Sequence, residues 1–230
     1  MKSVKTNSDH IVAQAIGVGK TVQLASDTLD ILQDISLEIT TGRTVAISGA
    51  SGSGKTTLLG LLAGLDQPTS GYLTLMGQTL NNLNEDQRAK LRRGRVGFVF
   101  QSFHLLPNLT AVENVALALE VIPESTAIVE NSRQALSRVG LSERCGHLPS
   151  QMSGGEQQRV ALARSMVVAP AILFADEPTG NLDHATSSQI ADLMFSLCKD
   201  NGSTLVLVTH NRALAARCDD QYRIEAGRLV

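Results

Sequence analysis

Strong net charge is the first thing this 230-residue chain lacks: 20 Lys and Arg stand against 22 Asp and Glu, for a formal charge of −2. A surface so balanced offers no broad attraction for a nucleic-acid backbone or an anionic lipid layer, so a DNA-coating role is disfavoured and no nucleic-acid partner is expected. Cysteine is scarce. Cys145, Cys198 and Cys218 are odd in number, widely spaced and without CxxC geometry, which excludes a disulfide framework and a zinc site and suits a reducing compartment. A long apolar run is missing too: a membrane-crossing helix needs about eighteen or more apolar residues. The longest candidate here, 160–175, is interrupted by Arg164, Ser165 and Pro170. If the chain serves a membrane process, a separate polypeptide is expected to supply the spans. The polar stretch 1–10 lacks the apolar centre of a secretory signal and reads as a frayed tail. No internal repeat, low-complexity tract or long linker interrupts the chain.

What is present is 43% hydrophobic residues against 18% charged, enough for a buried core and too much for wholesale disorder. The length fits one large domain with an insert. Alternation over 31–39, ended by Thr41-Gly42, predicts a half-exposed strand and turn, and the β-branched run 44–48 predicts a buried strand. Glycines follow, and then 55–65 places Leu58, Leu59, Leu61 and Leu62 at helical spacing. Helices are predicted over 85–95, within 110–148, from 153 through 164 and over 187–197. Short apolar strands are predicted at 96–100, 171–175 and 204–208. Strands alternating with helices make this an α/β protein with a mostly parallel sheet covered on both faces.

The segment Gly49-Ala50-Ser51-Gly52-Ser53-Gly54-Lys55-Thr56 matches G-x-x-x-x-G-K-[ST] between a predicted strand and a predicted helix. Glycines let backbone N–H groups curl around a phosphate, Lys55 neutralises the β and γ oxygens, and the Thr56 hydroxyl is of the type that ligates Mg²⁺, with Thr57 following in the same turn. The helix behind the loop aims its N-terminus at the same anion. A second strand, 171–175, runs into Asp176 and Glu177. Asp176 is placed to hold the metal and Glu177 to face an attacking water, although Asp-Glu-Pro also suits an ordinary turn or helix start. A third strand ends at Thr209-His210, where His210 can reach a γ-phosphate; a strand-end histidine is also compatible with a plain surface position.

Ser153-Gly154-Gly155-Glu156-Gln157-Gln158-Arg159 narrows the class. It resembles the Leu-Ser-Gly-Gly-Gln signature of the ATP-binding cassette (ABC) family, with Met152 for Leu and Glu156 for Gln. It opens a helix, so the Ser153 side chain and the amides of Gly154 and Gly155 form a site for an anion, which in the family belongs to the opposite subunit. Two further positions fit the resemblance. Gln101, closing the 96–100 strand, corresponds to a glutamine that meets Mg²⁺ and the water; Asp183, in Asn181-Leu182-Asp183, corresponds to a loop that crosses to the partner copy. A strand-end amide and a helix N-cap are the plainer readings of these two. The resemblance runs from about residue 11 to 230. Phe-Val-Phe-Gln-Ser-Phe-His-Leu-Leu-Pro and Ala-Asp-Glu-Pro-Thr-Gly-Asn-Leu-Asp are similar to the bacterial group with the lipoprotein-releasing, macrolide-exporting and FtsE-like ATPases, and most of all to the YbbA type. Many members place an aromatic residue on adenine, but 17–22 has none and Val22 holds that position.

The resemblance implies a RecA-like P-loop NTPase fold with an antiparallel β part near the N-terminus and a helical insert: a single nucleotide-binding domain, core 11–101 and 166–230, helical subdomain 102–165. It implies ATP and Mg²⁺ as cofactors, a second copy of the chain sandwiching two nucleotides, and a separate permease-type membrane subunit. It places the chain peripherally on the cytoplasmic face of the bacterial inner membrane. Residues 103–109, with Phe103, Leu105, Leu106 and Leu109, are a candidate docking surface or else pack inside the insert. A rival class, a soluble ABC ATPase working on DNA or ribosomes, calls for a long heptad-patterned insertion or two such domains in one chain, and the sequence has neither. A non-hydrolysing regulator is disfavoured by the intact Glu177 and His210.

Overall fold

The computed structural model describes residues 10–23, 27–123 and 125–230. The expected tail over 1–10 lies outside the described residues except for His10. The chain opens with strands β1 (Ile11–Gln23), β2 (Thr28–Thr40) and β3 (Thr44–Gly49), followed by helix α1 (Lys55–Leu62). Next come β4 (Ser70–Leu75), β5 (Gln78–Thr79), α2 (Glu85–Arg92) and β6 (Val96–Phe100). Helices α3 (Ala111–Glu120), α4 (Ile128–Arg138) and α5 (Gly154–Met166) follow in succession ahead of β7 (Ile172–Asp176). The chain closes with α6 (His184–Asn201), β8 (Thr204–Val208), α7 (Arg212–Ala215), β9 (Asp220–Glu225) and β10 (Arg228–Leu229).

Two sheets result. One is antiparallel, in the order β2-β1-β4-β5, and the other has the order β10-β9-β3-β8-β7-β6 with parallel pairing from β9 to β6. Sheet and helix layers match the α/β expectation. In β2 the pattern that predicted a strand also explains its one irregularity. Ile35, Leu37 and Ile39 are buried at alternate positions, but Leu32 is three residues from Ile35; Asp34, at φ 52°, takes up the odd residue.

The central strands are buried on both faces because each face has its own core. Val45, Ile47, Ile172, Phe174, Val206 and Val208 point toward α1 and the antiparallel sheet, packing on Leu58, Leu62, Ile35 and Leu73. Their neighbours Ala46, Leu173, Ala175, Leu205 and Leu207 point the other way, onto Val160, Ala163, Met194 and Leu214 of the helices. Each fully buried Leu or Ile contributes about 1.5–3 kcal/mol. Helix α1 stops at Leu62 rather than at 65, since Gly64 turns left-handed at φ 68°. Helix α6 is longer than the predicted 187–197, for Asp183 caps its start, accepting from the Thr186 N–H at 3.0 Å. All three cysteines are free and buried, and burial pushes the Cys198 thiol up to about 12 and that of Cys218 to about 11, so both are inert thiols.

Register decides where chemistry can gather. Phe100 pairs with Asp176, Asp176 with Val208, and Val208 with Ile47, so four parallel strands end level. The residues immediately beyond them, Gln101, Glu177, Thr209-His210 and the Gly49–Thr56 loop, therefore share one edge, the carboxyl edge where open α/β sheets bind ligands.

Candidate active site

The glycine loop over 49–54 curls tightly. At Gly49, φ 154°, a Cβ would meet the Ile224 carbonyl oxygen at 2.2 Å and the Ser53 Oγ at 2.7 Å. At Gly54, φ 101°, it would meet Leu32 Cδ2 at 2.7 Å. Only glycine serves at either place. Gly54 is also the N-cap of α1, and no side chain caps that helix, so its first amides are left for a ligand. Lys55 is 7% exposed and its Nζ donates to the Ala50 carbonyl at 2.7 Å, which holds the ammonium inside the loop.

A cavity of about 830 Å³ opens over this loop, lined by Ser51, Gly52, Gly54, Lys55, Thr56 and Thr57 together with Gln101, Glu177 and His210. Gly49, Ala50 and Ser53 build the turn without lining the cavity, while Asp176 lies just beneath it. The Thr56 hydroxyl donates to Asp176 Oδ1 at 3.2 Å. Burial, with the charge of Glu177 beside it, raises the Asp176 carboxyl above its ordinary value, against the lowering effects of Thr56 and Lys55. Such a carboxylate is one that a cation would relieve. Glu177 adopts φ 46°, unusual for a residue with a side chain, and its backbone N–H donates to the Val208 carbonyl at 2.9 Å. His210 Nδ1 stands 2.9 Å from Glu177 Oε2. Gln101 is paired twice with Asn181: its amide donates to Asn181 Oδ1 at 2.9 Å, and the Asn181 amide donates to the Gln101 carbonyl at 3.1 Å.

Two more lining residues, Leu29 and Ile31, are aliphatic and come from β2. Val22, half-buried, sits opposite Leu29 in the β1–β2 ladder, and Leu29 is 52% exposed at the cavity.

Ser153, Gly154, Gly155 and Asp183 lie elsewhere. They line a separate cavity of about 370 Å³ with Arg159 and Asn181. Ser153 caps α5: its Oγ accepts from the Glu156 N–H at 3.3 Å and donates to Glu156 Oε2 at 3.0 Å, while the Ser153 N–H donates to the same carboxylate at 2.9 Å. Those bonds and Arg144, 3.1 Å from Glu156 Oε1, hold the Glu156 carboxyl below its usual range. Asp183, as the cap of α6, is likewise held low by Thr186. Among the described residues no cluster of His, Cys, Asp and Glu forms a ready-made metal site, and no helix is long and apolar enough to cross a membrane.

Loop, uncapped helix and level strand ends define a nucleotide-binding P-loop ATPase. An ABC transporter family model matches residues 32–180. The chain is 53% identical over 211 residues to the ABC transporter ATP-binding protein YbbA of Escherichia coli K12, covering 91% of this chain and 92% of that protein. It is 44% identical over 224 residues to the lipoprotein-releasing system ATP-binding protein LolD of Alcanivorax borkumensis, covering 97% and 98%. A dimeric ATP-binding cassette solved in a post-hydrolysis state with ADP and Pi superposes with a TM-score of 0.88 at 36% identity, covering 94% of this chain and 96% of that one. The chain belongs to the ABC transporter family, as an ATP-hydrolysing cassette of the YbbA and LolD type.

Proposed function

We propose that this cassette works as a pair in which each nucleotide is enclosed by the phosphate loop of one copy and the Ser153-Gly154-Gly155 helix start of the other, and that closing and reopening of the pair drives a membrane-spanning subunit. One observation supports the reading: the phosphate loop and the signature line two different cavities of the same chain, as two half-sites completed by a second copy would. The solved relative that binds ADP and Pi is itself dimeric. In this reading Gly49 to Thr57 cradle the phosphates, and Lys55 leaves the Ala50 carbonyl to meet them. Thr56, Asp176 and Gln101 would hold Mg²⁺, which supplies neutralising charge at the β and γ oxygens. The contact of Thr56 with Asp176, a half-buried carboxyl whose pKa burial raises, fits a cation there.

Glu177 accepts from or orients the attacking water, and His210, within hydrogen-bond reach of Glu177, turns to the γ-phosphate when nucleotide enters. Gln101 must exchange its bonds with Asn181 for the metal and water, so its position reports nucleotide state to the loop that ends at Asp183. Leu29 and Ile31 offer the base an aliphatic surface in place of an aromatic one. Residues 102–165 form the moving helical part. A groove of about 600 Å³ beside β6, lined by His104, Leu106, Val121 and Arg164, is where a cytoplasmic segment of the membrane subunit docks. Leu105 packs partly into the core, but Leu106 is 48% exposed at this groove. In this reading the chain sits at the cytoplasmic face of a bacterial inner membrane through that partner; its relatives are named as ATP-binding proteins of an ABC transporter and of a lipoprotein-releasing system.

The test is turnover of Glu177→Gln. Steady-state phosphate release falls about 10²–10⁴-fold while MgATP binding persists, the range for loss of a positioned acid–base group. Undiminished release removes Glu177 from this role.

A further inference from the structure

Helix α5 holds the chain on both sides of Gln101. The Gln158 side chain, 0% exposed, donates from Nε2 to the Pro178 carbonyl at 2.5 Å and to the Phe100 carbonyl at 3.4 Å. Phe100 is the residue before Gln101, and Pro178 the residue after Glu177. Six residues further along α5, Arg164 donates to the carbonyls of His104 at 2.6 Å and Phe103 at 2.9 Å. Both of those residues are left-handed, at φ 49° and φ 60°, so the turn that leaves Gln101 is strained and is held by one guanidinium. The His104 ring also stacks on Phe100, centroids 4.8 Å apart.

Packing alone does not account for Gln158. Its Oε1 is buried with no hydrogen-bond partner among the described residues, and a buried polar atom without a partner weighs against folding. A methionine or leucine would fill the same space without that cost. The amide earns its place by what its N–H groups hold: the backbone just ahead of one water-facing side chain and just behind another.

The geometry points to Gln158 as a positioning residue that fixes Gln101 and Glu177 relative to each other and ties both to the helix beginning at Ser153. It is fully buried and lines neither of the two cavities. When the start of α5 meets a nucleotide on the partner copy, the same helix carries the displacement to the carbonyls beside Gln101 and Glu177 within its own chain. Each half of the pair thereby aligns its own water only when its signature is engaged. This inference rests on the roles proposed for Glu177 and Gln101.

Two variants of the full chain test it, with Glu177→Gln measured beside them so that failure of the underlying reading shows separately. Gln158→Met keeps the length and loses the donor. The expected result is a kcat at least tenfold lower, a KM for MgATP within twofold of the starting protein, and a thermal midpoint equal or higher. Gln158→Glu places a carboxyl there which, when protonated, donates one O–H to the Pro178 carbonyl. Its activity relative to the unaltered chain therefore recovers on going from pH 8 to pH 6, while Gln158→Met stays low at both. An unchanged kcat in Gln158→Met, a loss of kcat matched by loss of MgATP binding or of thermal stability, or a Gln158→Glu profile without acidic recovery overturns the proposal.

Discussion

Helices α1 and α5 begin alike and end up differently equipped. Both start beside glycines at the surface of a cavity, and both present backbone amides that the helix itself cannot satisfy. The start of α1 has no side-chain cap, only Gly54 at φ 101° and the buried Lys55 behind it. The start of α5 carries a side-chain cap from its own chain: Ser153 and Glu156 satisfy each other's backbone amides, with Arg144 on the Glu156 carboxylate. The difference teaches how the two termini are equipped for the proposed roles. The α1 end leaves its first amides open, as a phosphate cradle requires. The α5 end carries its own side-chain cap, as suits a surface proposed to meet its ligand only when a second molecule brings it.

Changes that break the comparison should differ in size and kind. The largest is at α1. Lys55→Ala removes a charge-assisted bond to phosphate, and titration calorimetry is expected to show ATP affinity reduced by about 2–3 kcal/mol, some 30- to 150-fold, with α5 unaffected. Unchanged affinity would mean the loop is not the phosphate cradle. Next is Ser153→Ala. Loss of the cap lowers stability by about 1 kcal/mol in chemical denaturation and removes ATP-driven pairing, while ATP affinity of the single chain stays the same. A drop in that affinity would show the two cavities to be one site.

The smallest effect is that of Glu156→Gln. The folded protein holds this carboxyl below its ordinary 4.5, so its stabilising contribution is present above that value and disappears as pH falls through the lowered one. The variant should be less stable by about 0.5 kcal/mol at pH 7, a modest figure because solvent screens the group, and indistinguishable from the parent once the pH is well below 4.5. A gap that persists in acid would assign the effect to packing.

How much of this was legible in the residues follows from the forces involved. Strands β6 and β8 fall where their short apolar runs placed them, at Val96–Phe100 and Thr204–Val208: β8 is buried throughout and β6, at the sheet edge, is apolar from end to end, so neither has a polar residue to blur its limits. β1 was not delineated: it carries Gly17 and Gly19, and its pairing with β2 shifts register at several points. β9 was missed because Asp220, Arg223 and Glu225 mask its one buried residue, Ile224. At the site, the phosphate loop, Glu177 and His210 were readable, since local spacing and strand ends fix them. The presence of Leu29 and Ile31 at the cavity was not, because which residues of a bulged ladder face it depends on twist. Asn181 and Gln158 were unreadable as well. Their partners are backbone groups and side chains 20 to 80 residues away, brought near only by the parallel register.

The central claim is that one chain holds two half-sites completed by a second copy. Sedimentation velocity of Glu177→Gln, with and without MgATP, tests it most directly. A shift from monomer to dimer on adding MgATP is expected, with loss of that shift when Ser153→Arg is added to the same chain. A protein that stays monomeric at saturating MgATP, or a dimer indifferent to Ser153→Arg, would contradict it.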